Sequence, residues 1–339
     1  MTTYAQALDF ATNAFRAAGV APAEASVAAC ALVGAQAWGL GSHGLIRVPQ
    51  YLRRLTAGGT SLTGEITVTQ DLGALALVDG HAGLGVVHMQ HAAEMGVKLA
   101  KQFGVSAVAV KNSSHCGALA FFAWPALRAN CAVLLLTNGP AVVPPPNGSK
   151  ALMSTSPICV AVPTNSGAIL VDMSTTAVAR GKIAEYAARG EALPLGWALD
   201  ESGQPTTDAQ VALKGMLAPL GGAKGAALAL GLEALTGGLI GPNLAKDVPD
   251  IFDEKMDGEA QGISHLIITL DAAAIANESG ASNRLDDFVE AVAKSGGRVP
   301  GSTKTDPDEF EPQMVIEVAP AVRKQLDEWA DRLQIAKLA

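Results

Sequence analysis

A G-x-G-x-x-G stretch, Gly39-Leu40-Gly41-Ser42-His43-Gly44, follows a helical pattern in this chain, and that context narrows the fold more than any other feature. The dinucleotide-binding form of the pattern needs a strand before the glycines, a helix after them and an acidic residue about 20 positions on. Residues 24–38 are instead Ala-rich, with Val27, Ala31, Leu32 and Ala35 at helical spacing. Gly39 and Gly41 therefore read as the helix stop and the loop after it. The loop is free to carry chemistry in place of phosphate.

The remaining pattern is mixed. Residues 3–18 read as an amphipathic helix, and Pro22 opens a second that runs to about Trp38. Pro49 sits in the first turn of a helix carrying Tyr51 and Leu55 that stops at Gly58-Gly59. Helices are also expected over 88–103, 177–189, 225–235, 283–295 and 319–333. Strands are expected over 74–78, 105–111, 133–136 and 264–270, with a hairpin of 158–163 and 168–172 around Asn165-Ser166-Gly167. Strict βα alternation is absent, which predicts an unusual α/β architecture with no doubly wound sheet.

Composition excludes several classes. The 339 residues are 49% hydrophobic and carry a net charge of -8 with no Lys/Arg block, which argues against nucleic acid and anionic membrane as partners. The most apolar region, 117–136, is interrupted by Pro125, Arg128 and Asn130, and no basic segment precedes an apolar run at the N-terminus. The four cysteines lack C-x-x-C spacing. The expectation is a reduced, cytoplasmic protein without a zinc or disulfide framework.

Three loops hold chemistry. In the first, His43, Arg47 and Tyr51 recur every four residues. A guanidinium can fork onto a carboxylate, an imidazole titrates near neutral pH, and Tyr51, one turn beyond Arg47, can donate to the same substrate. Ser42 can relay to the imidazole; as sequence neighbours, Ser42 and His43 are not expected to bond as nucleophile and base, so a hydrolase is not read here. The second loop, residues 112–118, carries His115 and Cys116 after a buried strand; nothing there lowers the thiol pKa. The third, residues 219–225, places glycines and Lys224 at a helix start, an anion-binding arrangement that lacks P-loop order. His81, His88 and His91 read as surface or packing residues, and His265 as structural.

These motifs together resemble the type-2 malate/L-lactate dehydrogenases, which also include ureidoglycolate and sulfolactate dehydrogenases and ketimine reductases. The resemblance rests on S-H-G-x-x-R-x-x-x-Y at 42–51, S-x-H-x-G at 113–117, Thr137-Asn138-Gly139, Ser154-Thr155-Ser156-Pro157, and residues 171–175, 178–182, 193–200, 219–225 and 298–301. It implies a non-Rossmann mixed-sheet α/β fold with packed N- and C-terminal helices, assembled as a homodimer. Residues 1–110 and 278–339 would form the substrate-binding and dimerisation part, and 111–277 the NAD(P)-binding domain. His43 would move the proton with Ser42 as relay, His115 being the alternative base, and Arg47 would anchor the substrate beside Tyr51. NAD or NADP would lie against His115, Cys116, Gly117, Ala118, Leu119, Gly139, Thr155, Asp172, Met173, Ser174, Lys224, Arg298, Pro300, Gly301 and Lys304.

Three departures from the family pattern matter: Gln36 where Asp is frequent, Ser156 where Asn is frequent, and Lys182 where ketimine reductases place a relay Asp. A lysine would repel a protonated imidazole. That favours an NAD(P)-dependent dehydrogenase acting on a 2-hydroxy acid and its 2-oxo acid. A cyclic ketimine reductase and a non-catalytic NAD(P)-binding sensor are the alternatives.

Overall fold

Seven strands form the central sheet of the computed structural model, which describes residues 1–276 and 281–339. They are β1 (Thr67–Asp71), β2 (Leu75–Asp79), β3 (Val105–Ser113), β4 (Cys131–Thr137), β5 (Ile158–Thr164), β6 (Gly167–Met173) and β7 (Ile263–Asp271), in the spatial order β1-β2-β3-β7-β4-β5-β6. Only β2 and β3 run parallel; β7 lies antiparallel between β3 and β4. The mixed sheet agrees with the fold expected from the sequence. β1 was not expected: its five residues are all exposed, so no buried alternation marks it.

Helices close both ends of the chain. In α1 (Tyr4–Ala17), Thr3 and Gln6 form a reciprocal capping box. Helix α2 (Pro22–Ala37) starts with Pro at its first turn, and α3 (Arg47–Ala57) stops at Gly58 in the left-handed conformation that glycine adopts without strain. Helix α4 (Gly85–Phe103) packs on β3 and β7, with Gly96 in close approach: a Cβ there would stand 2.9 Å from Thr269 Oγ1. Further helices are α5 (Arg180–Arg189), α6 (Ala223–Glu233), α7 (Ala281–Lys294) and α8 (Pro320–Leu333). Helix α8 packs on α1 and α3, and residues Thr2–Thr3 pair with Val315–Ile316, so the two ends of the chain are joined.

One large core runs from Tyr4 to Leu338 and includes both terminal helices and the sheet; a smaller one lies between Val143 and Ala229. The boundary expected between residues 110 and 111 falls inside β3, and the one at 277/278 lies outside the described residues. Among the described residues no helix is long and apolar enough to cross a membrane.

Candidate active site

The His43 turn is built by its neighbours. Gly41–His43 form one 3-10 turn, and Gln36 Oε1 accepts the Leu45 N–H at 3.1 Å while its Nε2 donates to Glu317 O at 2.7 Å. Gly44 lies so close to Gln36 that a Cβ would stand 2.3 Å from Oε1, so only glycine fits there. Gln36, where the sequence departs from the family pattern, thus holds the His43 turn in place.

Ser42 Oγ lies 2.9 Å from His43 Nδ1, within reach of the relay expected of it, the tight turn bringing these neighbours together. His43 and His115 stack with ring centroids 6.1 Å apart and planes 18° from parallel. Behind His115, the Tyr51 hydroxyl stands 2.8 Å from Nδ1 and 2.9 Å from the carbonyl oxygen. The Gly117 N–H also points to Nδ1 at 3.3 Å, which makes Nδ1 an acceptor and puts the His115 proton on Nε2. Neither histidine's Nε2 has a protein partner among the described residues.

Burial, reinforced by the Arg47 charge, lowers His43 to about 4 and holds His115 well below the usual imidazole range. Both are neutral at pH 7. Burial pushes the Cys116 thiol up to about 12, so Cys116 is a wall residue and not a nucleophile.

Arg47 is 7% exposed. Its Nε donates to Ser42 O and its Nη1 to Gln50 Oε1, each at 2.7 Å, so the expected two-pronged grip is mostly committed to the protein and Nη2 is left for a ligand. The guanidinium lies 4.9 Å from the Phe252 ring centroid, and Arg180 lies 5.2 Å from the same ring. Arg180 is paired with Asp250 at 2.9 Å.

A cleft of about 370 Å³ joins these groups. Its lining includes Ser42, His43, Arg47, His115 and Arg180, together with residues 116–119, Gly139, Thr155, Asp172, Met173, Ser174 and Lys304. Asp172 is raised by burial while accepting the Ala120 N–H at 2.8 Å. Arg298 and Gly301 lie instead in a second cavity of about 680 Å³, which Lys304 shares with the cleft. Pro300 serves the sheet edge, its carbonyl accepting the Leu170 N–H at 3.0 Å. Lys224, on the exposed first turn of α6, lines neither cavity. Tyr51 is another relocation: it is buried and reaches His115 in place of the substrate, because its turn of α3 faces the core.

Sequence reasoning missed the loop between α6 and β7, which carries no motif. It brings Asp250 and Phe252 to the cleft and is held from two sides. Arg54, 1% exposed, donates to the carbonyls of Met256 and Glu259. Gln261 accepts the His115 N–H at 3.0 Å and donates to Pro249 O at 3.1 Å, linking the loop to the histidine. Arg180 lies in the 178–182 motif, and only the fold brings it onto the Phe252 ring.

The sequence matches the malate/L-lactate dehydrogenase family over residues 2–327. It is 34% identical over 306 residues to the (2R)-3-sulfolactate dehydrogenase (NADP(+)) of Chromohalobacter salexigens, covering 90% of each chain. It is 31% identical to the malate/(S)-sulfolactate dehydrogenase of Methanothermus fervidus, covering 94% of each. The sulfolactate dehydrogenase of Methanocaldococcus jannaschii superposes with a TM-score of 0.90 at 27% identity, covering 98% of this chain and 97% of that one. The chain belongs to the malate/L-lactate dehydrogenase family.

Proposed function

We propose that this chain is an NAD(P)-dependent oxidoreductase interconverting a small 2-hydroxy acid and its 2-oxo acid, of the malate or sulfolactate type. The observation that carries the reading is one cleft lined by two neutral imidazoles and a buried guanidinium. The relatives named for sulfolactate and malate, one of them for NADP(+), support it.

The cleft suits a dinucleotide. At Gly139 a Cβ would meet only the Ser154 Cβ, at 3.9 Å, so that wall is bare backbone on which a flat ring can lie. Lys304 adds a cation where the cleft meets the second cavity, suited to the anionic arm. A nicotinamide bound there would supply the hydride acceptor for C2 of the hydroxy acid and the hydride donor for C2 of the oxo acid.

The chain's own groups do the rest. Arg47 Nη2 takes the carboxylate. His115, with its proton on Nε2, donates a hydrogen bond to the substrate oxygen. In oxidation His43 Nε2 takes the hydroxyl proton, and in reduction it gives one to the carbonyl oxygen. His43 is assigned this step because its proton has a way out: Ser42 beside it is exposed, whereas His115 is backed by buried Tyr51. Arg180 stacks on the same ring as Arg47 and suits a second anionic group on the substrate.

A surface feature supports a homodimer: Leu228, Leu230, Leu235 and Leu239 are exposed on and just after α6. Four free cysteines fit a reducing cytoplasm. Lys182, half exposed and paired with Glu185 at 2.7 Å, does not line the cleft and carries no carboxylate, so it cannot act as a relay of the ketimine-reductase kind.

The test is NADH and NADPH oxidation with pyruvate, oxaloacetate, sulfopyruvate and hydroxypyruvate. Turnover of at least one is expected, and failure with all four sinks the reading. Turnover of piperideine-2-carboxylate alone would make the chain a ketimine reductase. Dinucleotide binding with no turnover at all would make it a sensor.

A further inference from the structure

Two histidines outside this chemistry are completely buried, His88 on α4 and His265 on β7. They belong to one hydrogen-bonded chain. Ser113 Oγ lies 2.9 Å from His88 Nδ1 and 2.8 Å from His265 Nε2, and His265 Nδ1 lies 2.8 Å from Thr137 Oγ1. Thr137 Oγ1 is in turn 3.1 Å from the carbonyl oxygens of Asn138 and Ser264. With its hydroxyl donating to one of these carbonyls, Thr137 accepts from His265 Nδ1–H. His265 Nε2 then accepts from the Ser113 hydroxyl, which accepts from His88 Nδ1–H. The chain crosses β3, β7 and β4 where an apolar core would be cheaper, since buried polar groups cost free energy unless they are bonded.

Its end points give it a purpose. Ser113 is the last residue of β3, two before His115, and Thr137 is the last of β4, directly before Asn138 and Gly139. Those two strand ends launch two walls of the cleft. The start of β7 holds both walls by other bonds as well. Gln261 accepts the His115 N–H, the Ser264 N–H donates to Asn138 Oδ1 at 3.0 Å, and the Asn138 N–H donates to Ser264 O at 3.3 Å. Among the described residues, His265 is the one side chain that bonds to both strand ends.

We propose that His265 is a positioning residue, whose imidazole fixes the separation of the His115 wall from the Asn138–Gly139 wall and so the geometry in which dinucleotide and substrate meet. The proposal rests on the reading of this cleft as the active site. An asparagine amide falls near the position of Nδ1 and a glutamine amide near that of Nε2. His265→Asn therefore keeps the Thr137 bond and drops the Ser113 bond, and His265→Gln does the reverse.

The experiment is hydrogen–deuterium exchange by mass spectrometry over residues 114–119 and 138–140 in both variants, with kcat and KM measured alongside. Leaving one buried partner unbonded speeds local exchange about 10-fold. His265→Asn is expected to loosen 114–119 and spare 138–140, His265→Gln to do the opposite, and each to lower kcat about 10-fold with KM changed less. Wild-type exchange in both segments, or equal loosening of both, overturns the proposal. The exchange split decides it even if the wild type turns over no 2-oxo acid, an outcome that would defeat the functional reading alone.

Discussion

His43 and His115 at the cleft contrast with His88 and His265 beneath it. Burial holds all four below the ordinary imidazole range, His43 and His88 at about 4 and His265 at about 3. A perturbed pKa therefore does not tell the pairs apart. Bonding does. Each cleft histidine has Nδ1 engaged by one hydroxyl and no protein partner on Nε2, whereas His265 has both ring nitrogens bonded. His88 Nε2 is also unbonded, but it is sealed in the core and meets no cleft. A ring nitrogen that is both free and open to a cleft is what the proposed chemistry requires.

The sharpest way to break this contrast is His43→Ala. Loss of a proton-transfer group costs about 10²- to 10⁴-fold in kcat, and the variant should still bind dinucleotide. Wild-type kcat in steady-state assays would remove His43 from the proton step.

Arg47→Lys comes next. A point charge replaces a planar donor that is also held on Ser42 and Gln50, so kcat/KM should fall about 10- to 100-fold, with KM raised. Arg180→Gln should act on selectivity, cutting the oxaloacetate-to-pyruvate ratio of kcat/KM about 10-fold. An unchanged ratio would make Arg180 only the Asp250 partner.

The pH dependence separates the directions of reaction. Reduction consumes a proton, so its kcat/KM relative to that of oxidation must fall tenfold per pH unit whatever the mechanism. With His43 neutral above about pH 4 in the free enzyme, the whole slope belongs to reduction, while oxidation stays flat from about pH 5 to 8. A bend near pH 6.5 in both directions would mean an ordinary, solvated His43.

The core pair predicts an acid-labile fold. The folded pKa of His88 and of His265 lies below the unfolded value of 6.5, so the unfolded chain binds more protons below that pH. Their contribution is full above pH 6.5 and is lost as pH falls toward 4, on the order of 2 kcal/mol per histidine at pH 5. Denaturant melts at pH 7 and 5 check this, and a flatter profile in His88→Asn would confirm the source. An equal loss in that variant would place it elsewhere.

Much of this was legible in the sequence. The Pro22 start, the Gly58 stop and the apolar runs of β3 and β7 are local signals, and local signals place most elements. Ser42, His43, Arg47 and His115, each lying in a short motif beside a regular element, come together at one cleft. What was not legible depends on pairing between distant segments. The grip of Gln261 on the His115 backbone spans 146 positions, and the Arg180–Asp250 pair spans 70. Tyr51 failed differently: its helical spacing from Arg47 was right, but which partner its face meets is decided by the fold.

Hydride transfer is the claim everything else serves, and isotope transfer tests it most directly. Malate and sulfolactate deuterated at C2, both enantiomers of each, are incubated with the enzyme and NAD⁺ or NADP⁺, and the reduced dinucleotide is weighed by mass spectrometry. One deuterium on the nicotinamide from at least one of these acids is the expected result. No labelled dinucleotide from any of them, with the protein folded and binding dinucleotide, would contradict the account.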